Sequence, residues 1–273
     1  MIIKTLVENT AISNDFKYEH GLSLYIETKE RKILFDVGTS GIFIENAKKL
    51  DVEIKDIHYL IISHGHYDHG GGLRLFLDKN TDAKVFLRQL AFEEQYAKRA
   101  NKKLEFVGLE KELKENKRLV FTSDNHIIYN GIEVFSAVEK VVPYPISNSG
   151  LYTRKNGEIV KDTFLHEQNL IIEEDGRTLL ITGCAHNGII NILEHFKKLK
   201  GHMPDYVVGG FHLSSRSGGD ESPKTIDKIS DYLIKTNAKY YTCHCTGLEQ
   251  YKRLKANMGD SIDYIKTGSI IKL

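Results

Sequence analysis

The chain has 273 residues, 41% of them hydrophobic and 27% charged, with 38 basic against 37 acidic side chains. This supplies one large core or two small ones, and a net charge of +1 leaves no electrostatic footprint for nucleic acid or a membrane surface. Three cysteines, Cys184, Cys243 and Cys245, make no secreted disulfide framework, the start Met1 to Val7 lacks the charged leader of a signal peptide, and no run approaches the roughly 20 apolar residues of a bilayer span. The expectation is a soluble cytoplasmic protein that acts on a small molecule, without nucleic acid or membrane as partner and with homo-oligomerisation left open.

Ile2 to Val7, Leu22 to Glu27 and Arg31 to Phe35 read as strands, being short apolar or alternating runs between polar stretches. Phe43 to Leu50 reads as a helix. Leu60-Ile61-Ile62 is a continuous apolar run suited to a buried strand, and it leads directly into His64-Gly65-His66-Tyr67-Asp68-His69. Gly70-Gly71-Gly72 then opens a helix at Leu73 to Leu77, followed by a buried strand at Val85 to Leu87. Residues 89–118 are rich in helix formers and lysine. Because Glu93, Glu94, Glu105, Glu110, Glu112 and Glu115 are interleaved, they read as a solvated helix face and not as a basic patch. Strands resume at Arg118 to Thr122 and Ile132 to Ser136. From residue 168 strands and helices alternate: strands at Leu170 to Ile172, Thr178 to Ile181, Tyr206 to Val208, Lys239 to Thr242 and Ile262 to Ile265. The helices between them are Ile189 to Leu199, Thr225 to Thr236, opened by Ser222-Pro223, and Leu248 to Met258. A strand-rich first half and a βαβα second half predict an α/β (α+β) protein with stacked sheets and outer helices.

The segment His64 to His69 gathers four potential metal ligands within six residues, between a buried strand and a glycine-rich helix start. Imidazole suits zinc, iron, cobalt, nickel or copper, and the carboxylate widens the choice. His64 and His66, two apart in an extended loop, project to the same side and can chelate one ion. Asp68 and His69 are adjacent, so their side chains are expected to diverge and serve a second ion roughly 3.5–4 Å away. The glycines at 70 to 72 let the backbone approach the site closely.

His-x-His-x-Asp-His after a buried strand resembles the signature of the metallo-β-lactamase superfamily. The resemblance covers nearly the whole chain and implies a four-layer αββα sandwich of two mixed sheets with helices outside. It implies one domain over 1–273, with residues 89–160 shaping the entrance to the site. Asp36, in Ile33-Leu34-Phe35-Asp36-Val37-Gly38, matches the aspartate that supports the metal loop in that superfamily, although a turn or capping role suits it equally. Three further stretches are similar to the dihydropterin–ribofuranosylaminobenzene 5′-phosphate synthase group and its bacterial relatives. They are Glu19 to Leu24, Thr182 to Gly188, and Gly209 to Leu213 followed by Thr242 to Gly247.

The resemblance implies one or two divalent transition metals, zinc first, with iron or manganese as alternatives. The ligands it implies are His64, His66, Asp68, His69, Cys184, His186 and His244. His186 is the third imidazole of the first metal, ranked above His166. Cys184 stands where the superfamily has a bridging aspartate, and is either a ligand or a buried thiol lining the site. His244 and His212 compete as the last ligand. His244 fits the late strand better, leaving His212 to bind substrate or donate a proton. Alternation of a continuing strand through Cys243-His244-Cys245 would turn the two thiols away from His244. His20 and His126 receive no role.

The implied chemistry is metal-assisted nucleophilic attack: coordination lowers the pKa of bound water to about 7, with Asp68 orienting the nucleophile. A hydrolase of a small ester or phosphate-containing substrate is the first reading, a synthase-like pterin-joining transferase the second, and a catalytically silent metal-bound sensor the third. A tRNA-processing nuclease is disfavoured by the balanced charge. A flavodiiron oxidoreductase is disfavoured because that group carries glutamate at the position of His66.

Overall fold

The computed structural model describes residues 1–273. In chain order the first elements are β1 (Ile2–Val7), β2 (Ser23–Glu27), β3 (Lys32–Phe35), α1 (Ile42–Lys49), β4 (Tyr59–Ile61), α2 (Tyr67–Gly70), α3 (Leu73–Lys79) and β5 (Lys84–Leu87). Next come β6 (Gln95–Lys98), β7 (Leu104–Phe106), β8 (Leu119–Phe121), β9 (Asn125–Tyr129), β10 (Ile132–Ser136), β11 (Leu151–Lys155) and β12 (Glu158–Lys161). The last part holds β13 (Gln168–Glu174), β14 (Arg177–Ile181), α4 (Ile189–Lys200), β15 (Tyr206–Gly209), α5 (Pro223–Lys235), β16 (Lys239–Thr242), α6 (Leu248–Met258), β17 (Ile262–Tyr264) and β18 (Ile270–Lys272). No helix is long and apolar enough to cross a membrane.

The chain forms two compact units. The first comprises Met1–Glu93, Val107–Ser123 and Ile265–Leu273, and the second Glu94–Phe106 and Asp124–Tyr264. The first unit is built on a mixed seven-stranded sheet of order β18-β1-β2-β3-β4-β5-β8. Its half from β3 to β8 is parallel, which explains the unbroken apolar run at Leu60 to Ile62: strands covered on both faces need no polar alternation. Leu34, Leu60 and Val85 from these strands pack with Phe43 and Ala47 of α1 and Leu73 and Phe76 of α3 in one buried cluster. Strands β3 and β4 run parallel and therefore end at the same sheet edge. The residues that follow them, Asp36 and His64, are thus delivered side by side.

The second unit is built on a mixed seven-stranded sheet of order β17-β16-β15-β14-β13-β10-β9. Strands β14 to β17 are parallel, with a helix between each consecutive pair, the connection that parallel neighbours require. Ser222 caps α5, its side chain accepting from the Thr225 amide, and Pro223 occupies the first turn, as its fixed φ favours. Leu180, Ile192, Leu193, Phe196, Val207, Phe211, Tyr240 and Leu254 form the core of this unit. Because β14, β15 and β16 are parallel, the segments after them, Thr182–Gly188, Gly210–Ser214 and Cys243–Gly247, leave from one edge of the sheet.

Residues 89–118 do not form the expected helix. Short 3₁₀ turns at Gln89–Phe92 and Lys111–Glu115 flank β6 and β7, which join β11 and β12 in a four-stranded antiparallel sheet of order β12-β11-β6-β7. The many helix formers are overridden by cross-strand contacts: Tyr96 meets Phe106 ring edge to face at 5.8 Å, and Arg99 pairs with Glu105 at 2.7 Å. The lysines here are solvated, as anticipated, but on a hairpin.

Candidate metal centre

In the first unit, β4 ends at Ile61, the chain bends at His64 and Gly65, and an extended His66 precedes the single turn α2. His64, His66, Asp68 and His69 are all buried. The His64 ring lies 4.6 Å from that of His66 and 4.1 Å from that of His69, centroid to centroid. Asp68 and His69 do not diverge as strand-like geometry would require. The turn at α2 brings His69 Nε2 to 3.8 Å from Asp68 Oδ2, and His20, which had no expected role, places Nε2 at 3.3 Å from the same oxygen. The close backbone approach expected of the glycines is present: a Cβ on Gly72 would lie 2.6 Å from the Val37 carbonyl oxygen.

Asp36 holds this arrangement from behind. It has φ +60°, and Ser23 Oγ donates to its carbonyl at 2.9 Å. Its carboxylate accepts from the Ser63 amide and Ser63 Oγ, both at 2.7 Å, and is 2.7 Å from His69 Nδ1. Ser63 Oγ in turn lies 2.8 Å from His64 Nδ1. With Nδ1 engaged by a carboxylate, Nε2 is the end of His69 that could coordinate a metal, the usual way an outer carboxylate fixes a ligand imidazole. Asp36 therefore has the supporting role.

In the second unit, Cys184, His186 and His212 are buried, and their donor atoms lie within 4.8 Å of one another. Cys184, His244 and Cys245 form a second group under the same limit. Cys184 is common to both. The rings of His186 and His212 are 4.1 Å apart, so the two competitors for the last ligand, His212 and His244, each sit beside Cys184. Neither ring nitrogen of His212 finds a hydrogen-bond partner with good geometry, which is costly for a buried polar group unless something else binds it.

Strand alternation does not continue through Cys243-His244-Cys245. Strand β16 ends at Thr242, Cys243 is extended, His244 has φ +48°, and a 3₁₀ turn follows over His244–Thr246. The turn brings the Cys245 thiol to the same group as His244. Burial by itself would push this thiol up, but the Cys184 thiol and the His212 and His244 rings beside it hold it well below the usual thiol range, which favours the thiolate form that ligates metals.

His186 is fixed from three sides. Its Nδ1 is 2.9 Å from Asn148 Oδ1, and its ring stacks on Phe164 at 4.5 Å with planes 4° apart. Its amide donates to Glu167 Oε1 at 2.7 Å. Glu167 also accepts from the Asn187 amide and side chain at 2.9 and 2.6 Å. Burial raises the Glu167 carboxyl despite these donors. His166, the lower-ranked alternative, has Nε2 engaged 3.1 Å from Asp162.

The donor chemistry fits transition metals: imidazole and carboxylate in the first unit, imidazole and thiol in the second. His20, Asn148, Glu167 and Cys245 were not predicted as site residues. His20 lay within a stretch singled out by resemblance, and Cys245 beside His244. Asn148 and Glu167 carried no sequence signal.

The chain resembles known proteins over most of its length. The metallo-beta-lactamase superfamily model matches residues 18–219. The protein MJ0448 of Methanocaldococcus jannaschii is 34% identical over 261 residues, covering 93% of each chain. The 7,8-dihydropterin-6-methyl-4-(beta-D-ribofuranosyl)-aminobenzene-5′-phosphate synthase of the same organism is 30% identical over 286 residues, 99% of this chain and 96% of its own. The crystal structure of Tm1679, described as a metal-dependent hydrolase of the beta-lactamase superfamily, superposes with a TM-score of 0.85 at 29% identity, over 100% of this chain and 99% of its own.

Proposed function

Because the chain belongs to the metallo-β-lactamase superfamily, whose fold its sheets and helices match, we propose that it is a metal-dependent hydrolase of a small ester or phosphate-containing substrate. We propose His64, His66, Asp68, His69, Cys184, His186 and His244 as the ligands of one or two divalent metal ions, zinc first. The observation that carries this reading is the buried packing of His64, His66 and His69, with Asp36 tied to His69 Nδ1 at 2.7 Å. Three buried imidazoles packed ring against ring, one of them oriented by a buried carboxylate, are what a ligand set looks like.

A bound divalent ion supplies Lewis acidity and makes water nucleophilic near neutral pH. Asp68 orients the attacking water and accepts its proton, and His20 at 3.3 Å stabilises the carboxylate in its acceptor orientation. His212, buried with its ring 4.1 Å from that of His186, binds the substrate or returns a proton to the leaving group. Asn148 and Phe164 fix the His186 ring so that Nε2 is its coordinating end.

Elemental analysis of purified protein, alongside a phosphoester, phosphodiester and lactone panel, tests this reading. His66→Ala should remove bound metal and activity together; unchanged metal content in that variant would count against the assignment. A second reading, a synthase-like transferase, is favoured by the 30% identity to the dihydropterin synthase over nearly the whole chain. Turnover of a dihydropterin diphosphate and an aminobenzene ribotide, with release of diphosphate and no hydrolysis across the panel, would replace the first reading by the second. Full metal loading without turnover of either kind would point to a sensor.

A further inference from the structure

Cys184, His244 and Cys245 are buried, and their sulfur and ring-nitrogen donors lie within 4.8 Å of one another. Ligands of a zinc-type ion sit about 2.0–2.3 Å from it, so donors already this close need only side-chain-sized shifts to share one ion. The backbone fixes Cys245 in the group. The turn His244–Thr246 follows a left-handed His244. Thr246 Oγ1, at the end of that turn, accepts from the Phe211 amide at 2.9 Å and lies 2.5 Å from Thr242 Oγ1.

Position 210 is shaped to the thiol: a Cβ on Gly210 would lie 2.6 Å from Cys245 Sγ, so a glycine there leaves the sulfur its place. Cys245 Sγ also points to the Cys184 carbonyl oxygen at 3.4 Å, which ties the segments after β14 and β16 together at this point. Thiol sulfur is a poor hydrogen-bonding group, and two sulfurs gathered with an imidazole gain far more from a soft cation than from one another. Thiolates select zinc, iron or copper(I), whereas manganese and magnesium prefer carboxylate, carbonyl and water oxygens.

We propose that Cys184, His244 and Cys245 form a two-thiolate, one-imidazole ligand set that selects a thiolate-preferring ion such as zinc over manganese or magnesium. This rests on the metal-dependent reading above and deepens it, adding Cys245 to the ligands and naming the class of metal.

The test uses the full chain stripped of metal and titrated with cobalt(II) alone. The wild-type protein should develop a near-ultraviolet sulfur-to-cobalt charge-transfer band, with all three thiols still free after unfolding of a metal-free sample. Cys184→Ser and Cys245→Ser should each weaken the band by about half, since each thiolate contributes its own transition. The double variant should lose it, and Cys243→Ser should keep it. Manganese should compete poorly for the same protein. Cobalt uptake without the band in the wild-type chain would overturn the thiolate set while leaving the metal-dependent reading intact, and so would a Cys184–Cys245 disulfide or loss of the band in Cys243→Ser. Absence of any cobalt or zinc uptake would overturn both. If a serine variant folds poorly, Cys184→Ala and Cys245→Ala take its place, and a band lost with Cys184 but untouched by removal of Cys245 would overturn the two-thiolate set.

Discussion

Asp36 shows how much one side chain can fix. Its carboxylate accepts from the Ser63 amide and hydroxyl and is 2.7 Å from His69 Nδ1, all without exposure to solvent. Asparagine keeps one acceptor but puts a donor amide either against the Ser63 N–H or against both His69 Nδ1 and Ser63 Oγ, so the network that orients the imidazole is broken at one end or the other. Asp36→Asn should lower metal affinity about 10–100-fold, the usual cost of removing an outer carboxylate from a ligand histidine, with the far-ultraviolet spectrum retained. Competition against a chelator measures this, and unchanged affinity would show that His69 needs no such support. Which residues lie near His64 in sequence was plain from the spacing. That Asp36, 33 positions before His69, supports that imidazole follows from the parallel pairing of β3 and β4, which periodicity does not reveal.

At the scale of elements, the strongest periodic signals were legible and the weak ones were not. The helices α4, α5 and α6 and the strands β14 to β16 lie where apolar periodicity puts them, because each buries one face or both in a single core. The hairpin β6–β7 was hidden because lysine and glutamate favour helices in isolation, while cross-strand partners here decide otherwise. Strand β18 was hidden for a related reason. Three residues at the chain end carry little pattern, and they become a strand by pairing with β1, where Ile2 stands opposite Lys272.

The edge of the second sheet offers a test of electrostatics at this scale. In β17, burial would raise the Asp263 carboxyl, but the ammonium groups of Lys239 at 2.5 Å and Lys255 at 3.0 Å hold it below its ordinary value. A carboxylate with a depressed folded pKa stabilises above the unfolded value of about 3.9, and that contribution fades as pH falls through the folded value. The Asp263 side chain is 45% exposed, so Asp263→Asn should cost no more than about 1 kcal/mol at neutral pH. The difference from wild type should disappear in acid. Denaturant melts at several pH values would show this, and a loss that grows toward acid pH would contradict it.

For the molecule as a whole, binding a cation to the folded state alone must raise its stability. Metal at about 100 times its dissociation constant adds about 2.7 kcal/mol. Treatment with a chelator should therefore lower the thermal midpoint, and added zinc should restore it in a concentration-dependent way. A midpoint indifferent to both would be incompatible with the metal-dependent reading.

By itself the sequence singled out the ligand-rich segment His64 to His69, most of the strands and helices, and the resemblance that led to the superfamily. All of these are local: ligand spacing and apolar period are written within a dozen residues. Only the tertiary structure decided that Asp36 supports His69, that His20 stands against Asp68, that Glu167 and Asn148 position His186, and that Cys245 joins Cys184 and His244. Parallel strands deliver residues far apart in the chain to one sheet edge, and a single left-handed residue, His244, turns the backbone enough to reverse which side chains share a neighbourhood. Neither effect leaves a trace in local periodicity.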